Sequence, residues 1–262
     1  GKTPVVIALV EALKQAGLRL GVILRGYGGK APHYPYEVAL DSPLEAVWDE
    51  ALMIKQKTAA MVVVGPDRLA SARYIERQGG CDVIISDDGL QHYALARDME
   101  VIVIDAKRGL GSGLLLPAGP LREGKERLKE TPWVLSQNHA LAPYSYEIRI
   151  KGCRHLTSGA EKSMASFVGQ KVHAFAGIGN PDGFFKQLKD LGIECIAHPM
   201  SDHSQYGQAD FAGLENAVIM LTDKDAVKVK DVAPQDTWVV EIEALLPEPL
   251  VDACIETIKK KG

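Results

Sequence analysis

The chain begins with residues whose types suit phosphate chemistry. Gly1, Lys2 and Thr3 match the last three positions of the P-loop pattern G-x-x-x-x-G-K-[ST] and directly precede an apolar helical pattern. In a P-loop, backbone N–H groups at a helix N-terminus cradle phosphate oxygens, the lysine offsets their charge, and the threonine hydroxyl ligates Mg²⁺. Gly-Lys-Thr alone is a common tripeptide, so its place before the helix is what supports the prediction. We expect Gly1, Lys2 and Thr3 to bind a nucleotide, with Thr3 also a metal ligand.

Two adjacent carboxylates form a second candidate site. Asp87 and Asp88 follow directly after the apolar run 83–86. In open parallel sheets, ligands lie beyond the C-terminal ends of the strands, and neighbouring carboxylates are costly unless a cation is near them. A Mg²⁺ ion that also bridges phosphate oxygens would supply this charge. The alternative is a polar turn in which Gly89 supplies a positive φ.

Two loops contain arginines that could bind phosphate. Arg25 begins the glycine-rich stretch 25–29, and Arg122 lies in the stretch 116–123, LPAGPLRE. Glycines let a backbone approach a ligand closely, and the arginine fork binds phosphate through two parallel hydrogen bonds. Each loop alone is equally typical of an ordinary turn.

Two further spots contain charged residues whose role is open. Asp202 and His203 follow an apolar strand, and an Asp–His pair can act as a general base. A lone histidine in a loop is more often a surface residue. Asp49 and Glu50 lie in a helical stretch, where such residues usually form a solvated face. The residue types alone therefore leave both spots undecided.

The pattern of apolar runs predicts an α/β protein. Helices are predicted over 4–17, 43–57, 67–78, 181–191, 223–229 and 247–261, and strands over 20–24, 61–64, 83–86, 101–105, 133–136, 172–176, 193–198, 217–221 and 238–242. Strands of nearly continuous Val and Ile that alternate with helices favour parallel sheets covered on both faces. We predict a larger P-loop lobe over 1–137, a β-ribbon or linker over 138–170 and a smaller α/β lobe over 171–262.

Composition excludes several classes of protein. The 262 residues, 46% hydrophobic and 24% charged, are typical of a globular chain of one large or two small domains. A net charge of −4 gives no sign of a nucleic-acid partner, and the 4 cysteines contain no C-x-x-C pair, which argues against a zinc site or a disulfide scaffold. The chain starts inside a motif without an initiator Met, so we expect an upstream segment that completes the P-loop and contains any membrane anchor.

Taken together, these motifs resemble one family, the tetraacyldisaccharide 4′-kinases. The matching segments span nearly the whole chain: GKTPVV, RGYGGKAPHYP, WDEALM, GPDR, SDDGLQHYALARD, GSGLLLPAGPLRE, FAGIGNP, SDH and LTDKDAVK. The resemblance implies a P-loop NTPase-like fold of two α/β/α lobes, with mostly parallel sheets, joined by a β-ribbon linker. It implies ATP, Mg²⁺ and transfer of the γ-phosphate to the 4′-hydroxyl of tetraacyldisaccharide 1-phosphate, the lipid A precursor.

The resemblance also implies a cellular location. Proteins of this family lie on the cytoplasmic face of the Gram-negative inner membrane. The membrane surface would be a partner through the upstream segment. We further expect a monomer without a nucleic-acid partner.

The resemblance implies a role for each matching residue. Asp49 would be the catalytic acid/base that faces the acceptor hydroxyl, and His203 would pair with it across the cleft between the lobes. Arg68 and Arg122 would stabilise the transferring phosphoryl group. The other roles are Lys2 and Thr3 as P-loop ligands of phosphate and Mg²⁺, Asp87 and Asp88 as organisers of Mg²⁺, Glu50 as a ligand that positions metal or phosphate, and Gln91 and His92 as supports of the nucleotide loop.

The chain departs from the family pattern at three positions. Leu24 stands where a Ser usually precedes Arg-Gly-Tyr-Gly, Ala51 replaces the Pro of Asp-Glu-Pro, and Ser112 replaces the Asn of Gly-Asn-Gly. None of these changes removes a proposed charged group. Ala51 makes us expect a different helix entry after Asp49.

A P-loop with an acidic pair is also compatible with two other functions. One is an NTPase switch or chaperone that acts on a protein partner, but a guanine-reading N-K-x-D motif is matched poorly by residues 222–226, TDKDA. The other is a scaffold with an inactive P-loop. The intact set of charged residues argues against that reading.

Overall fold

The structure is a computed structural model that describes residues 2–201, 204–229 and 231–260. The helices are α1 (Lys2–Gln15), α2 (Leu44–Val47), α3 (Asp49–Thr58), α4 (Arg68–Arg77), α5 (Arg127–Glu130), α6 (Pro181–Asp190), α7 (Asp223–Ala226) and α8 (Glu248–Lys259). The strands are β1 (Leu20–Leu24), β2 (Tyr36–Glu37), β3 (Met61–Val64), β4 (Val83–Ser86), β5 (Val101–Ile104), β6 (Trp133–Ser136), β7 (Tyr144–Ser145), β8 (Glu147–His155), β9 (Glu161–Lys162), β10 (Lys171–Ala176), β11 (Glu194–Pro199), β12 (Val218–Thr222) and β13 (Thr237–Leu245). In these ranges, no helix is both long enough and apolar enough to cross a membrane.

The described strands form three sheets, which confirm the α/β prediction. Their strand orders are β2-β3-β1-β4, β5-β6-β7 and β11-β10-β12-β13-β8-β9. Pairing is parallel throughout except at β2, β8 and β9. We use "first lobe" for the part built on β1–β7 and "second lobe" for the part built on the six-stranded sheet.

The central strands of the second lobe are buried on both faces. Along β12, Met220 lies in one apolar cluster while its neighbours Ile219 and Leu221 lie in another. Successive side chains of a strand point to opposite faces, so both faces are covered. This burial explains the continuous apolar runs in the sequence.

Two elements join the lobes more closely than the predicted bounds suggest. β8, inside the predicted linker 138–170, pairs antiparallel along β13 from His155 to Glu147. Helix α8 follows the second lobe in sequence, but its Leu250 and Cys254 belong to the core around α1. The domain bounds at 137 and 171 stay a prediction. The pairing of β8 with β13 and the packing of α8 on the core around α1 both cross these bounds.

The single helix predicted over 43–57 is wrong. It is two helices, α2 and α3, separated by Trp48, whose φ of 69° is incompatible with a helix. The loop before α2 packs against this break, where the Lys30 N–H donates a 2.7 Å hydrogen bond to the Glu45 carbonyl. As a result Asp49 is the first residue of α3, where the helix dipole favours a negative charge.

Gly29 allows the close approach of this loop to α2. A Cβ at Gly29 would lie 2.5 Å from the carbonyl oxygen of Ala46. We therefore expect Gly29→Ala to lower the free energy of unfolding by about 1–3 kcal/mol, measured by thermal or urea denaturation. Gly207→Ala is the control, because a Cβ there meets no described atom within 4 Å. Equal free energies of unfolding of the two variants would show that the loop can move away from the new methyl group at little cost in stability.

Candidate active site

Asp88 lies at the centre of an ionic cluster just beyond β4. Its carboxylate contacts the Lys2 ammonium and accepts a 2.8 Å hydrogen bond from the Arg122 guanidinium. Burial raises the pKa of Asp88, but the hydrogen bonds from Arg122 and Lys2 outweigh burial and bring it to about 2. Asp88 is therefore ionised at physiological pH. The structure brings together three residues that the sequence predicted for phosphate and metal binding.

Asp87 is more deeply placed than its neighbour. It is 7% exposed, and burial raises its pKa, with Lys2 opposing the shift and Asp88 adding to it. A buried carboxylate of this kind favours a nearby cation. This is the chemistry expected of a residue that organises a metal.

Arg68 lies beneath the same loop. Its guanidinium donates to the carbonyls of Gly65 (2.9 Å) and Asp87 (3.2 Å), and its Nε has no hydrogen-bond partner among the described residues. Burial lowers the pKa of Arg68 to about 10, although Asp87 partly opposes the shift, so the group stays charged at neutral pH. Arg68 thus places a positive charge under the acidic loop.

Gln91 and His92 lie in the turn that follows the acidic pair. The Gln91 amide donates a 2.5 Å hydrogen bond to Glu123, and its oxygen accepts one of 3.3 Å from Arg122. Burial lowers the pKa of His92, and the charges of Arg68 and Arg25 lower it further. Gln91 therefore links the two loops, while the His92 imidazole is neutral at pH 7. Glu123 is a contact that the sequence did not single out, although it ends the motif LPAGPLRE.

The oxygen donors near the acidic pair suit Mg²⁺ better than a metal ion whose ligands all come from the protein. Among the described residues, no group of three or more His, Cys, Asp or Glu could hold a metal ion. Mg²⁺ is usually bound by one or two carboxylates together with water and substrate phosphates. The half-buried Thr3 in the first turn of α1 and the two carboxylates of 87–88 are oxygen donors of this type. The residues present therefore fit the ion.

Asp49 lies in a second cluster and is 2% exposed. Its Oδ2 lies 3.2 Å from the Lys228 Nζ and 3.9 Å from the Lys224 Nζ. Its Oδ1 accepts a 2.9 Å hydrogen bond from the backbone N–H of Glu50, and the Glu50 carboxylate lies 3.7 Å from Lys224. Lysines of the second lobe thus meet carboxylates of the first.

A cavity of about 230 Å³ opens beside Asp49. Residues of both lobes line it: Gly28, Lys30, Leu44, Glu45, Trp48 and Asp49 from the first, and Ser204, Gln205 and Lys228 from the second. This agrees with the prediction that Asp49 lies at a cleft between the lobes. His203, its predicted partner, lies outside the described residues, as does Gly1.

The sequence prediction missed Lys224 and Lys228. Both lie in LTDKDAVK, and they are four residues apart at the end of β12. Asp87 and Asp88 were identified because they follow the end of a strand. Lys224 and Lys228 also follow the end of a strand, β12, so the same criterion would have found them. The segment was used only for family resemblance and for the failed N-K-x-D match.

The chain is similar to known proteins over nearly its whole length. The chain matches the family described as tetraacyldisaccharide-1-P 4′-kinase (LpxK) over residues 1–259. A tetraacyldisaccharide 4′-kinase of Alkalilimnicola ehrlichii is 43% identical over 251 residues, which are 95% of this chain and 75% of that protein. Another, of Alcanivorax borkumensis, is 43% identical over 259 residues, covering 98% of this chain and 79% of the relative.

The fold has a relative among solved structures. A crystal structure of LpxK from Aquifex aeolicus, an "apo" form in complex with ATP, is similar with a TM-score of 0.80 and 24% sequence identity. The likeness covers 98% of this chain and 84% of that one, which confirms the predicted two-lobed, P-loop kinase-like fold. On the sequence match over nearly its whole length, the chain belongs to the tetraacyldisaccharide-1-P 4′-kinase family.

Proposed function

We propose that this chain transfers the γ-phosphate of ATP to the 4′-hydroxyl of tetraacyldisaccharide 1-phosphate, a step of lipid A biosynthesis. Membership of the kinase family supports the reaction. The single observation that supports it in the structure is the gathering of Lys2 and Arg122 on Asp88, with Asp49 placed on an interlobe cavity. Phosphoryl transfer needs positioning, neutralised charge and a base for the incoming hydroxyl, and these residues provide each of them.

The cluster around Asp88 forms the ATP side of this site. Lys2 and Arg122 bind phosphate oxygens, and Gln91 holds Arg122 in place. Thr3, Asp87 and Asp88 would hold Mg²⁺, which would offset the charge of the phosphates. The relative from Aquifex aeolicus whose structure is in complex with ATP supports this choice of donor.

The cluster around Asp49 forms the acceptor side. Asp49 takes the proton of the acceptor hydroxyl as the new O–P bond forms and the bond from the γ-phosphorus to the β–γ bridging oxygen breaks, which releases ADP. Glu50 helps to position the phosphate. His203 pairs with Asp49 from the second lobe, so that closure of the lobes completes the site and excludes water. Arg68 and Arg122 offset the negative charge of the transferring group.

The chemistry of the acceptor supports a site of action at a membrane. A disaccharide with four acyl chains is anchored in a bilayer, so the kinase has to reach the membrane surface. We propose the cytoplasmic face of the Gram-negative inner membrane, where the protein is a peripheral or monotopic monomer.

The proposed reaction can be tested with labelled ATP. The protein, expressed from its complete reading frame, is mixed in detergent micelles with ATP labelled at the γ-phosphate, Mg²⁺ and tetraacyldisaccharide 1-phosphate. We expect label in the lipid, a phosphate at the 4′ position by ³¹P NMR, and loss of both with EDTA. Free labelled phosphate without labelled lipid would instead support an NTPase switch that acts on a protein partner.

Arg122 offers a test of the phosphate site. Arg122→Lys keeps the charge but loses the planar guanidinium, whose Nη1 donates to both Asp88 and Gln91, so we expect kcat to fall about 10-fold or more. Arg149→Lys is a matched control, since its side chain is 56% exposed, against 55% for Arg122, and pairs with Glu147 on the surface. Equal kinetics in the two variants would remove Arg122 from the site.

A further inference from the structure

Lys228 is a buried lysine between two carboxylates. Its side chain is 4% exposed, and its Nζ lies 3.2 Å from Asp49 Oδ2 and 3.4 Å from Asp225 Oδ1. The side chains of Asp49 and Asp225 are 3% and 0% exposed. Charges this deeply buried are stable only when they are paired, so the three groups form one unit that spans both lobes.

Asp225 is the fixed end of this unit. Its Oδ2 accepts hydrogen bonds from the Thr222 hydroxyl (2.6 Å) and from the Gly177 N–H (2.9 Å). A Cβ at Gly177 would lie 2.8 Å from Asp225 Oδ1, so the loop after β10 packs directly on the carboxylate. The second lobe therefore sets where the Lys228 ammonium lies.

Asp49 is held at both of its oxygens. The backbone N–H of Glu50 binds Oδ1 and the Lys228 ammonium lies beside Oδ2. Lys224 lies farther from the same oxygen, at 3.9 Å. Of the two lysines, Lys228 thus forms the closer ion pair with the carboxylate.

We propose that Lys228, anchored on Asp225, is a positioning residue that keeps the Asp49 carboxylate directed at the cavity between the lobes. The inference rests on the proposed function, in which Asp49 receives the proton of the acceptor hydroxyl. A base that is misplaced by about 1 Å can lose about 100-fold in rate without any loss of binding. In this role Lys228 acts on kcat through Asp49.

The test compares Lys228→Met with a lysine of the same kind. Lys57 lies on α3, the helix that begins at Asp49, and bridges to the second lobe at 2.8 Å from both Asp223 and Glu241. Lys57→Met removes an interlobe ion pair without touching Asp49. We expect Lys228→Met to lower kcat about 10- to 100-fold at unchanged KM for ATP, and Lys57→Met to leave kcat per folded molecule close to wild type.

Two additional variants keep the test decisive if Lys228→Met does not fold. Lys228→Arg retains the charge and should recover most of kcat, and Asp225→Asn should lower kcat like Lys228→Met because it releases the anchor. In an Asp49→Asn background, Lys228→Met should cost nothing further. Equal losses of kcat in the Lys57 and Lys228 variants, or independent effects of Lys228 and Asp49, would overturn the inference.

A crystal structure of the Lys228→Met or Asp225→Asn variant separates this inference from the proposed reaction. We expect the Asp49 carboxylate to leave its place beside the cavity. An unmoved carboxylate would refute the positioning role, even in an active kinase. Failure of the wild-type protein to label lipid would refute the proposed function, and the position of Asp49 in the variant would still decide the role of Lys228.

Discussion

Asp49→Asn is expected to lower the rate of phosphoryl transfer by about 10²- to 10⁴-fold while the affinity for ATP stays nearly unchanged. The carboxylate is 2% exposed and lies on the cavity between the lobes. A general base contributes in the transition state, so its loss affects kcat more than binding. Asparagine keeps the shape of the side chain and an oxygen for the Glu50 N–H, which limits structural damage. The measurements are single-turnover transfer and ATP binding with the same preparations.

The control for this variant is Asp252→Asn, an exposed position on α8. It should behave like wild type in both measurements. His203→Ala should show a defect similar to that of Asp49→Asn, and the double variant should be little worse than either single one. Equal losses in ATP binding and transfer would give Asp49 a binding role, and additive losses would show that Asp49 and His203 do not work as a unit.

Lys2→Met is expected to reduce kcat/KM for ATP by about 10²- to 10³-fold, the second of the two largest effects. Lys2 opens α1 and meets Asp88, where its positive charge can offset the terminal phosphates of the nucleotide. Methionine preserves the length of the side chain and removes only the charge. Steady-state kinetics over a range of ATP concentrations measures the effect.

Lys14→Met is the matched control for Lys2. Lys14 lies on the same helix, and its side chain is 43% exposed, against 49% for Lys2. It contacts Glu11 and the Thr58 carbonyl, neither of which belongs to the acidic loop. It should leave kcat/KM close to wild type. A similar loss in both variants would show that α1 had been disturbed and that Lys2 has no special contact with phosphate.

The sequence predicted most regular elements because their cores are built from local patterns. Helix α4, for example, begins after Asp67, whose side chain accepts a hydrogen bond from the Ala70 N–H, and such a cap is visible in the sequence. The break at Trp48 was not visible, because it depends on the packing of the loop around Gly29 against α2. That packing joins residues 15 and 17 positions apart in the sequence, so local sequence preferences do not predict it.

The candidate site also has one part that the sequence predicts and one part that it does not. The cluster of Lys2, Asp88 and Arg122 joins three motifs that the sequence already marks for phosphate or metal binding, so the sequence could predict its members. The contact of Asp49 with Lys228 joins two lobes, and its partners are far apart in sequence. The sequence pattern also suggests that Lys228 is exposed, because it lies in a polar segment. Only the fold shows that it is buried and that its two carboxylate partners stabilise its charge there.

The central claim is that Asp49 is the base of an ATP-dependent lipid kinase. Single-turnover transfer of labelled γ-phosphate to tetraacyldisaccharide 1-phosphate, with wild-type protein and Asp49→Asn side by side, tests it most directly. The account predicts labelled lipid with wild type, and a rate at least about 100-fold lower with Asp49→Asn at equal ATP occupancy. Labelled free phosphate without labelled lipid, or equal transfer rates in the two proteins, would contradict it.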